Sequence, residues 1–225
     1  MAKANKKKRT IIPMKWCICT EGETEAIYLR SYCEALGIKH LVDINSENPS
    51  CPLRSGKACG RQHRSLIDQV QICNKSSNYE KMIAVHDFDE DGNVKTQSFD
   101  DAFAAGKEAG ISVYYSIPSF EYWLLPHNNP IDANLSRVDC SSRVKEYINK
   151  KRKDEGKPRL HKEKYKTDDN LFLYFGGLDG ADRAEQNAKK RWINGKMPEK
   201  PSSVKPSTNL YDLLDKLKRF AERQK

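Results

Sequence analysis

The sequence has no apolar run that approaches the ~18–20 residues needed to cross a membrane. Its N-terminal stretch MAKANKKKRTIIPMKWCICT begins with basic residues, but the apolar part is short and is interrupted by Pro13 and Lys15. We therefore expect neither a membrane span nor a secretory signal. The seven cysteines are odd in number and scattered. This usage is typical of reduced thiols in a cytoplasmic protein and argues against a disulfide framework.

Several familiar site motifs are also missing. Neither GGLDG nor SGKACG matches a Walker A loop, so any ATP hydrolysis would have to come from a partner protein. No Ser/His/Asp or Cys/His arrangement is readable from spacing. Cys51, Cys59, His63 and Cys73 lack the paired Cys-x-x-Cys spacing of a zinc site, and Cys73 sits in a helical apolar row. The spacing therefore does not favour zinc.

Acidic residues are outnumbered by basic ones. The 31 Asp and Glu residues against 40 Lys and Arg give a formal net charge of +9, and the pI is about 9.1. A basic surface favours a polyanionic partner, first of all nucleic acid and then an acidic protein or membrane surface. The alternative is that the charge serves solubility alone.

Hydrophobic periodicity predicts an α/β fold. Strand-like runs MKWCIC, HLVDI, KMIAVHD and ISVYYS alternate with helical patterns in the first part of the chain, which is typical of a parallel sheet covered by helices. After about residue 128 the pattern predicts helices and no further strand, with Ser207 or Thr208 as the N-cap of the last helix. We expect a basic tail at 1–12, an α/β core at 13–127, and a basic helical extension at 128–225 packed on the core.

Carboxylates follow two of the predicted strands. Glu21 and Glu25 come after the first strand, and Asp87, Asp89 and Asp91 come at the end of the third. Ligands of parallel α/β sheets bind at the carboxyl ends of the strands, so these acids converge if the two strands are neighbours. Crowded carboxylates repel one another unless a cation such as Mg²⁺ or Mn²⁺ neutralises them. The pattern therefore indicates a metal site, and an acidic surface turn is the alternative. A calcium-binding EF-hand is not favoured, because the twelfth loop position is a serine.

A strand ending in Glu-Gly, followed by a later strand ending in Asp-x-Asp, resembles the Toprim fold of topoisomerases, DnaG-type primases and OLD-family nucleases. The resemblance implies a Toprim-like, or Rossmann-like, parallel sheet. It also implies that Glu21, Asp87 and Asp89 bind Mg²⁺ or Mn²⁺ and serve phosphoryl transfer. Glu25 matches the second glutamate of the OLD-type Glu-Gly-x-x-Glu pattern, and Asp91 supports the same site.

A closer resemblance is to the RloB-like family of small bacterial proteins. It is carried by CTEGETEAIYL (19–29), HDFDED (86–91), SIPSFEYWLLPH (116–127) and PSTNLYDLL (206–214). The family implies a metal-dependent endonuclease that cleaves RNA, with transfer RNA as one candidate substrate, or DNA in anti-phage defence, controlled by an ABC- or AAA-type ATPase partner. The alternative is a non-catalytic Toprim-like sensor or regulatory subunit that binds nucleic acid or the ATPase. Assembly of several copies is left open.

The resemblance also brings Glu121 into view as a candidate catalytic residue, because it lies just after the fourth predicted strand. A carboxylate stabilised at a helix start is an equally good interpretation. His86 precedes the aspartates and is favoured as a histidine satisfied at the strand end; the alternative is a group near the scissile phosphate.

Basic residues in the C-terminal half, with aromatic residues between them, predict a phosphate-tracking surface. A solvated helix face is the alternative. The candidate nucleic-acid contacts are Lys151, Arg152, Lys153, Lys164, Lys166, Lys189, Lys190 and Arg191.

Overall fold

The computed structural model describes residues 14–46, 66–68, 70, 71, 73, 79–88, 93–128, 135–190 and 200–225. A five-stranded sheet with strand order β2-β1-β3-β4-β5 organises this part of the chain. The strands are β1 (Trp16–Thr20), β2 (Val42–Ser46), β3 (Lys81–Asp87), β4 (Ser112–Ile117) and β5 (Ser207–Thr208). The first four are parallel, and β5 pairs with β4 in the antiparallel direction.

Helices cover this sheet. They are α1 (Glu23–Ala35), α2 (Asn93–Glu108), α3 (Phe120–Leu124), α4 (Arg137–Asp154), α5 (Leu171–Tyr174), α6 (Gly177–Lys189) and α7 (Leu210–Glu222). The described residues between 66 and 73 are also helical, as predicted. Short 3₁₀ turns occupy Lys39–Leu41, Leu125–His127, Lys164–Thr167 and Pro201–Ser203. The predicted α/β class, a parallel sheet flanked by helices, is confirmed.

Successive side chains of a strand point to opposite faces of the sheet, and all those of β1 are buried, so β1 is covered on both faces. Trp16 and Ile18 face the larger core, where Trp16 stacks on Phe220 of α7 with ring centroids 4.6 Å apart. Cys17 and Cys19 face the other side and pack with the helical residues at 66–73. Burying a large apolar side chain such as that of Ile18 stabilises the fold by about 2–3 kcal/mol relative to leaving it exposed. The central strand is therefore held from two layers.

The C-terminal segment joins the sheet, which corrects two predictions. Ser207 and Thr208 form β5 beside β4 and are not the N-cap of the last helix; the expectation of no strand after residue 128 is wrong. Asn209 holds the N-cap position of α7 without a capping side-chain bond. Its amide group instead accepts from the Tyr115 N–H at 2.7 Å and donates to the Val113 carbonyl at 3.3 Å. A two-residue strand carries too little periodicity to be recognised in the sequence.

Within the described residues, no helix is both long enough and apolar enough to cross a membrane.

Candidate metal centre at the carboxyl edge of the sheet

The first two acids meet because β1 and β3 are neighbours. Thr20 pairs with Val85 in the parallel register, so the residues that follow these positions leave the sheet at the same edge. The Glu21 N–H donates to the Val85 carbonyl at 3.1 Å, and the Glu21 Oε2 accepts from the Asp87 N–H at 3.1 Å. The structure therefore brings Glu21 and Asp87 together, as their positions after the strands predicted.

Glu25 reaches the same place from the first turn of α1. Gly22 is the N-cap residue of that helix, and the Glu25 carboxylate folds back over it. A Cβ atom on Gly22 would lie 2.6 Å from the Glu25 Oε2, which is too close for any real contact. The side chain of Glu25 is only 3% exposed. Gly22 thus leaves the space that lets a helix-start glutamate turn towards the sheet edge.

Glu121 joins the cluster from the first turn of α3. It is 3% exposed, and its Oε1 accepts from the Tyr165 hydroxyl at 2.9 Å. The Lys166 ammonium group lies 3.2 Å from the same oxygen. Glu121 thus lies both near the other acids and at a helix start, and its catalytic role stays a prediction. We call the four side chains Glu21, Glu25, Asp87 and Glu121 the acidic rim.

The electrostatics of the acidic rim follow from burial and from mutual repulsion. Burial, followed by the charges of Glu25, Glu21 and Glu121, raises the pKa of Asp87 well above its usual range. Burial, and then the charge of Glu121, also raises the pKa of Glu25 to about 7. Raised carboxylate pKa values of this origin are a mark of functional sites, since repulsion among acids costs stability.

Asp87 supplies a direct sign that a cation fits here. Its Oδ1 is buried and has no hydrogen-bond partner among the described residues. A buried carboxylate oxygen without a donor is costly, whereas a hard divalent cation takes such oxygens as ligands. The chemistry of the donor set, all carboxylate oxygens, matches Mg²⁺ or Mn²⁺.

The acidic rim is more open than a closed metal cage. Within the described ranges, three ligand-type side chains approach within 4.8 Å of one another only at Cys17, Cys19 and Cys73. The carboxylates of the rim are more widely spaced. Mg²⁺ is commonly held by one or two carboxylates with water completing its shell, so this spacing suits it better than it suits a fully protein-ligated ion.

Two predicted ligands, Asp89 and Asp91, lie outside the described residues. His86 is buried, its Nδ1 lies 3.9 Å from the Glu21 Oε2, and its ring meets Phe99 edge-on.

The thiol cluster was not anticipated. Cys73 lies against Cys17 and Cys19, and the Sγ atoms of that pair are 4.0 Å apart. Cys51, Cys59 and His63, which had been weighed together with Cys73, lie outside the described residues. The available signal was the Cys-x-Cys spacing in β1, which puts both thiols on one face of a strand.

The predicted nucleic-acid contacts are scattered. Lys166 lies at the acidic rim, but Arg152 is bound within the fold, donating to the Pro158 carbonyl and to the Tyr174 hydroxyl. Lys189 pairs with Glu185 on α6. The others are Lys151 and Lys153 in the last turn of α4, Lys164 in the turn before Lys166, and Lys190 at the end of α6. Arg191 lies outside the described residues.

Sequence reasoning missed Tyr165 and the support that it gives. Its hydroxyl contacts both Glu121 and the Ser141 hydroxyl, each at 2.9 Å, and Thr24 of α1 donates to the Lys166 carbonyl at 3.3 Å. These contacts tie the 3₁₀ turn Lys164–Thr167 to the rim. No local sequence pattern predicts these contacts, because the partners are 24 to 142 residues apart in the chain.

Comparison with known proteins gives one positive finding. The model of a protein family described as RloB-like protein matches residues 16–217, most of the chain and all four residues of the acidic rim. No curated protein and no solved structure matches the sequence.

Proposed function

The chain belongs to the RloB-like protein family, and from that premise we propose that it is a metal-dependent nuclease whose active centre is the acidic rim. Its substrate class is RNA or DNA, and its reaction is hydrolysis of a phosphodiester bond. The observation that carries the proposal is the meeting of Glu21, Glu25, Asp87 and Glu121 at one sheet edge, where Asp87 Oδ1 is buried and has no donor among the described residues.

Glu21 and Asp87 are the residues that would hold Mg²⁺ or Mn²⁺, with Glu25 beside them. Asp89 and Asp91, which follow in the sequence, remain proposed ligands. When bound, such an ion supplies charge neutralisation and readies a water molecule for in-line attack on phosphorus. In its absence the repulsion among the acids is relieved by protons, chiefly on Asp87 and Glu25, whose pKa values are raised.

Lys166 is suited to meet the substrate. Partial burial acts to lower its pKa, but the charges of Glu121 and Glu163 raise it, so the ammonium group stays protonated. Its Nζ lies 3.2 Å from Glu121 and 2.9 Å from Glu163. A fixed positive charge beside the acids stabilises the negative charge that develops on a phosphate during attack.

The resemblance to the family extends the proposal to biology. We propose an ATPase partner that controls the nuclease and a role in anti-phage defence, with transfer RNA as one substrate to be tested. These elements depend on the family likeness alone.

The test is a cleavage assay with the full chain. Total tRNA and plasmid DNA are incubated with Mg²⁺ or Mn²⁺ and, separately, with EDTA. We expect metal-dependent cleavage that Asp87→Asn reduces by at least about 100-fold, the scale of losing one preorganised charge-stabilising group. Glu34→Gln, at the exposed ion pair with Lys39, removes one carboxylate charge outside the acidic rim; it is the matched control and should retain activity.

A thermal-shift titration with Mn²⁺ keeps the test decisive where a partner is needed for turnover. A stabilising shift that Asp87→Asn abolishes supports a metal centre at the acidic rim. Metal-independent nucleic-acid binding, with neither cleavage nor a Mn²⁺ shift, would instead identify a non-catalytic regulatory subunit. Adding a candidate ABC- or AAA-type ATPase then tests the proposed control.

A further inference from the structure

A cavity of about 330 Å³ opens beside the acidic rim. It lies between the N-terminal half of α4 and the chain around Lys162–Lys166, and Glu121 lines it. Glu121 therefore belongs both to this cavity and to the acidic rim. A molecule seated in the cavity would lie directly against the proposed active centre. We call the cavity the Lys145 pocket.

The Lys145 pocket is positively charged. Four cations, Arg137, Lys145, Lys162 and Lys166, stand against two carboxylates in its lining, which leaves a formal charge of +2. Lys166 is within 3.2 Å of both carboxylates, and the charge of Arg137 also acts on Glu163. The excess charge therefore lies mainly at Lys145 and Lys162. A concave, cationic surface that adjoins a cluster of acids is suited to an anion whose other end must reach a metal ion.

An exposed apolar side chain completes the lining. Val138 is 73% exposed although it stands in the first turn of α4. Pockets that hold small organic groups combine apolar contact with a few charged groups, and this volume lies at the lower end of their ~300–1,000 Å³ range. The pocket therefore matches one nucleotide unit, with an apolar contact for the base or sugar and cations for the phosphate.

Lys162 is held in an unusual backbone conformation. Its φ of 53° falls in the left-handed region, which lysine rarely adopts. Such strain concentrates at functional sites, where the surrounding structure fixes a side chain in a required direction. Here the strained residue contributes one of the cations that line the pocket.

From this charge, volume, apolar contact and shared Glu121, we propose that the Lys145 pocket is a subsite that binds one nucleotide of a single-stranded nucleic acid next to the bond to be cleaved. A duplex does not fit a cavity of this size. The position next to the cleaved bond rests on the proposed nuclease function, whereas the binding itself does not.

The experiment measures binding of a fluorescent single-stranded oligonucleotide to the full chain by anisotropy in EDTA, over a range of salt concentrations. The pocket variant is Lys145→Ala with Lys162→Asn, because asparagine tolerates the left-handed conformation. The control variant is Lys150→Ala with Lys157→Ala, which removes two exposed lysines, one in α4 and one just beyond its end. Both variants lose two positive charges.

We expect the pocket variant to bind more weakly and to reduce the slope of log K against log salt by about 0.7, since the pocket holds one nucleotide with one phosphate and each lost single-strand phosphate contact contributes about 0.7. The control variant should keep the wild-type slope. An equal loss of affinity in the two variants would mean that only the general charge of the protein matters, and would overturn the proposal. Unchanged binding by the pocket variant would also overturn it. Comparing a single-stranded RNA with a single-stranded DNA of the same sequence shows which of the two nucleic acids the pocket accepts.

Because the binding assay contains no divalent metal and needs no turnover, its result is separate from that of the cleavage assay. A pocket-specific loss of binding in a protein that shows neither cleavage nor the Mn²⁺ shift would uphold the subsite and reject the nuclease. In an active protein, the pocket variant should raise KM and leave kcat close to that of the wild type. The single variant Lys145→Arg, which keeps the charge, should bind as the wild type does.

Discussion

Replacing Glu25 by glutamine should make the metal-free protein more stable at pH 8. Glu25 is 3% exposed, and burial together with the charge of Glu121 raises its pKa from 4.5 to about 7. A shift of 2.5 pH units, at about 1.36 kcal/mol per unit, corresponds to about 3 kcal/mol of free energy of unfolding. Because the folded-state pKa is raised, the native state holds this proton more tightly, and stability is lost as pH rises from about 4.5 through about 7.

Glutamine keeps the size of the side chain and removes its ionisation. The gain of Glu25→Gln over wild type should therefore be about 3 kcal/mol at pH 8 and only about 1 kcal/mol at pH 5.5. Urea unfolding in EDTA at the two pH values measures both numbers, and they are large against a total stability of about 5–15 kcal/mol. Mn²⁺ should then stabilise the wild type more than the variant, since a ligand adds stability only to the state that binds it.

Glu23 provides a control of opposite sign in the same turn of α1. Partial burial acts to raise its pKa, but hydrogen bonding from Ser46 and the ion pair with Arg30 lower it. Glu23→Gln should thus destabilise the protein at pH 8. If Glu25→Gln destabilised the metal-free protein by the same amount at both pH values, Glu25 would be an ordinary structural carboxylate, and the reasoning on the acidic rim would fail.

Three further perturbations test other parts of the molecule. Gly22→Ala should leave the fold intact, because alanine readily adopts the φ of −125° found at Gly22. It should weaken Mn²⁺ binding, measured by titration, by about tenfold, because the new Cβ displaces the Glu25 carboxylate. Unchanged Mn²⁺ binding would contradict this. Burial lowers the pKa of His127 to about 3, so the free energy of unfolding should fall by about 1.4 kcal/mol per pH unit as the pH drops below about 6.5. Urea unfolding at pH 7 and pH 5 should show a smaller fall for His127→Gln than for the wild type. An equal fall in the two proteins would contradict a buried, neutral His127. Gly180→Ala should lower the thermal midpoint strongly, because the added Cβ would lie 1.8 Å from the Phe175 carbonyl oxygen, and a calorimetric midpoint equal to wild type would refute this packing.

The larger helices and the long strands could be predicted from local pattern. The strand Lys81–Asp87 and the helix Glu23–Ala35 each carry their own periodicity, and both lie where that periodicity put them. The positions of Glu21 and Asp87 after strands were equally visible, because a parallel strand delivers the residue at its carboxyl end to a common edge. These predictions needed only short stretches of sequence.

The short elements could not be predicted, because they have too few residues to show a periodicity. The strand Ser207–Thr208 is too brief to show an alternation, and it forms only because β4 offers an edge with unpaired backbone groups. The charge of the C-terminal half likewise indicated a polyanion surface without locating it. The Lys145 pocket takes its cations from α4 and from the turn near Lys162, two regions that meet only in the folded chain.

The amino-acid sequence by itself determined the α/β class, the family and the two acids that follow strands, because each is written in local order and spacing. Tertiary structure alone decided that β1 and β3 lie side by side and that Glu121 meets Lys166 at 3.2 Å. It also decided that Glu25 turns back over Gly22 into a buried site. Strand order and long-range contacts arise from the packing of whole layers, which minimises exposed apolar surface over the entire chain and leaves no trace in any single segment.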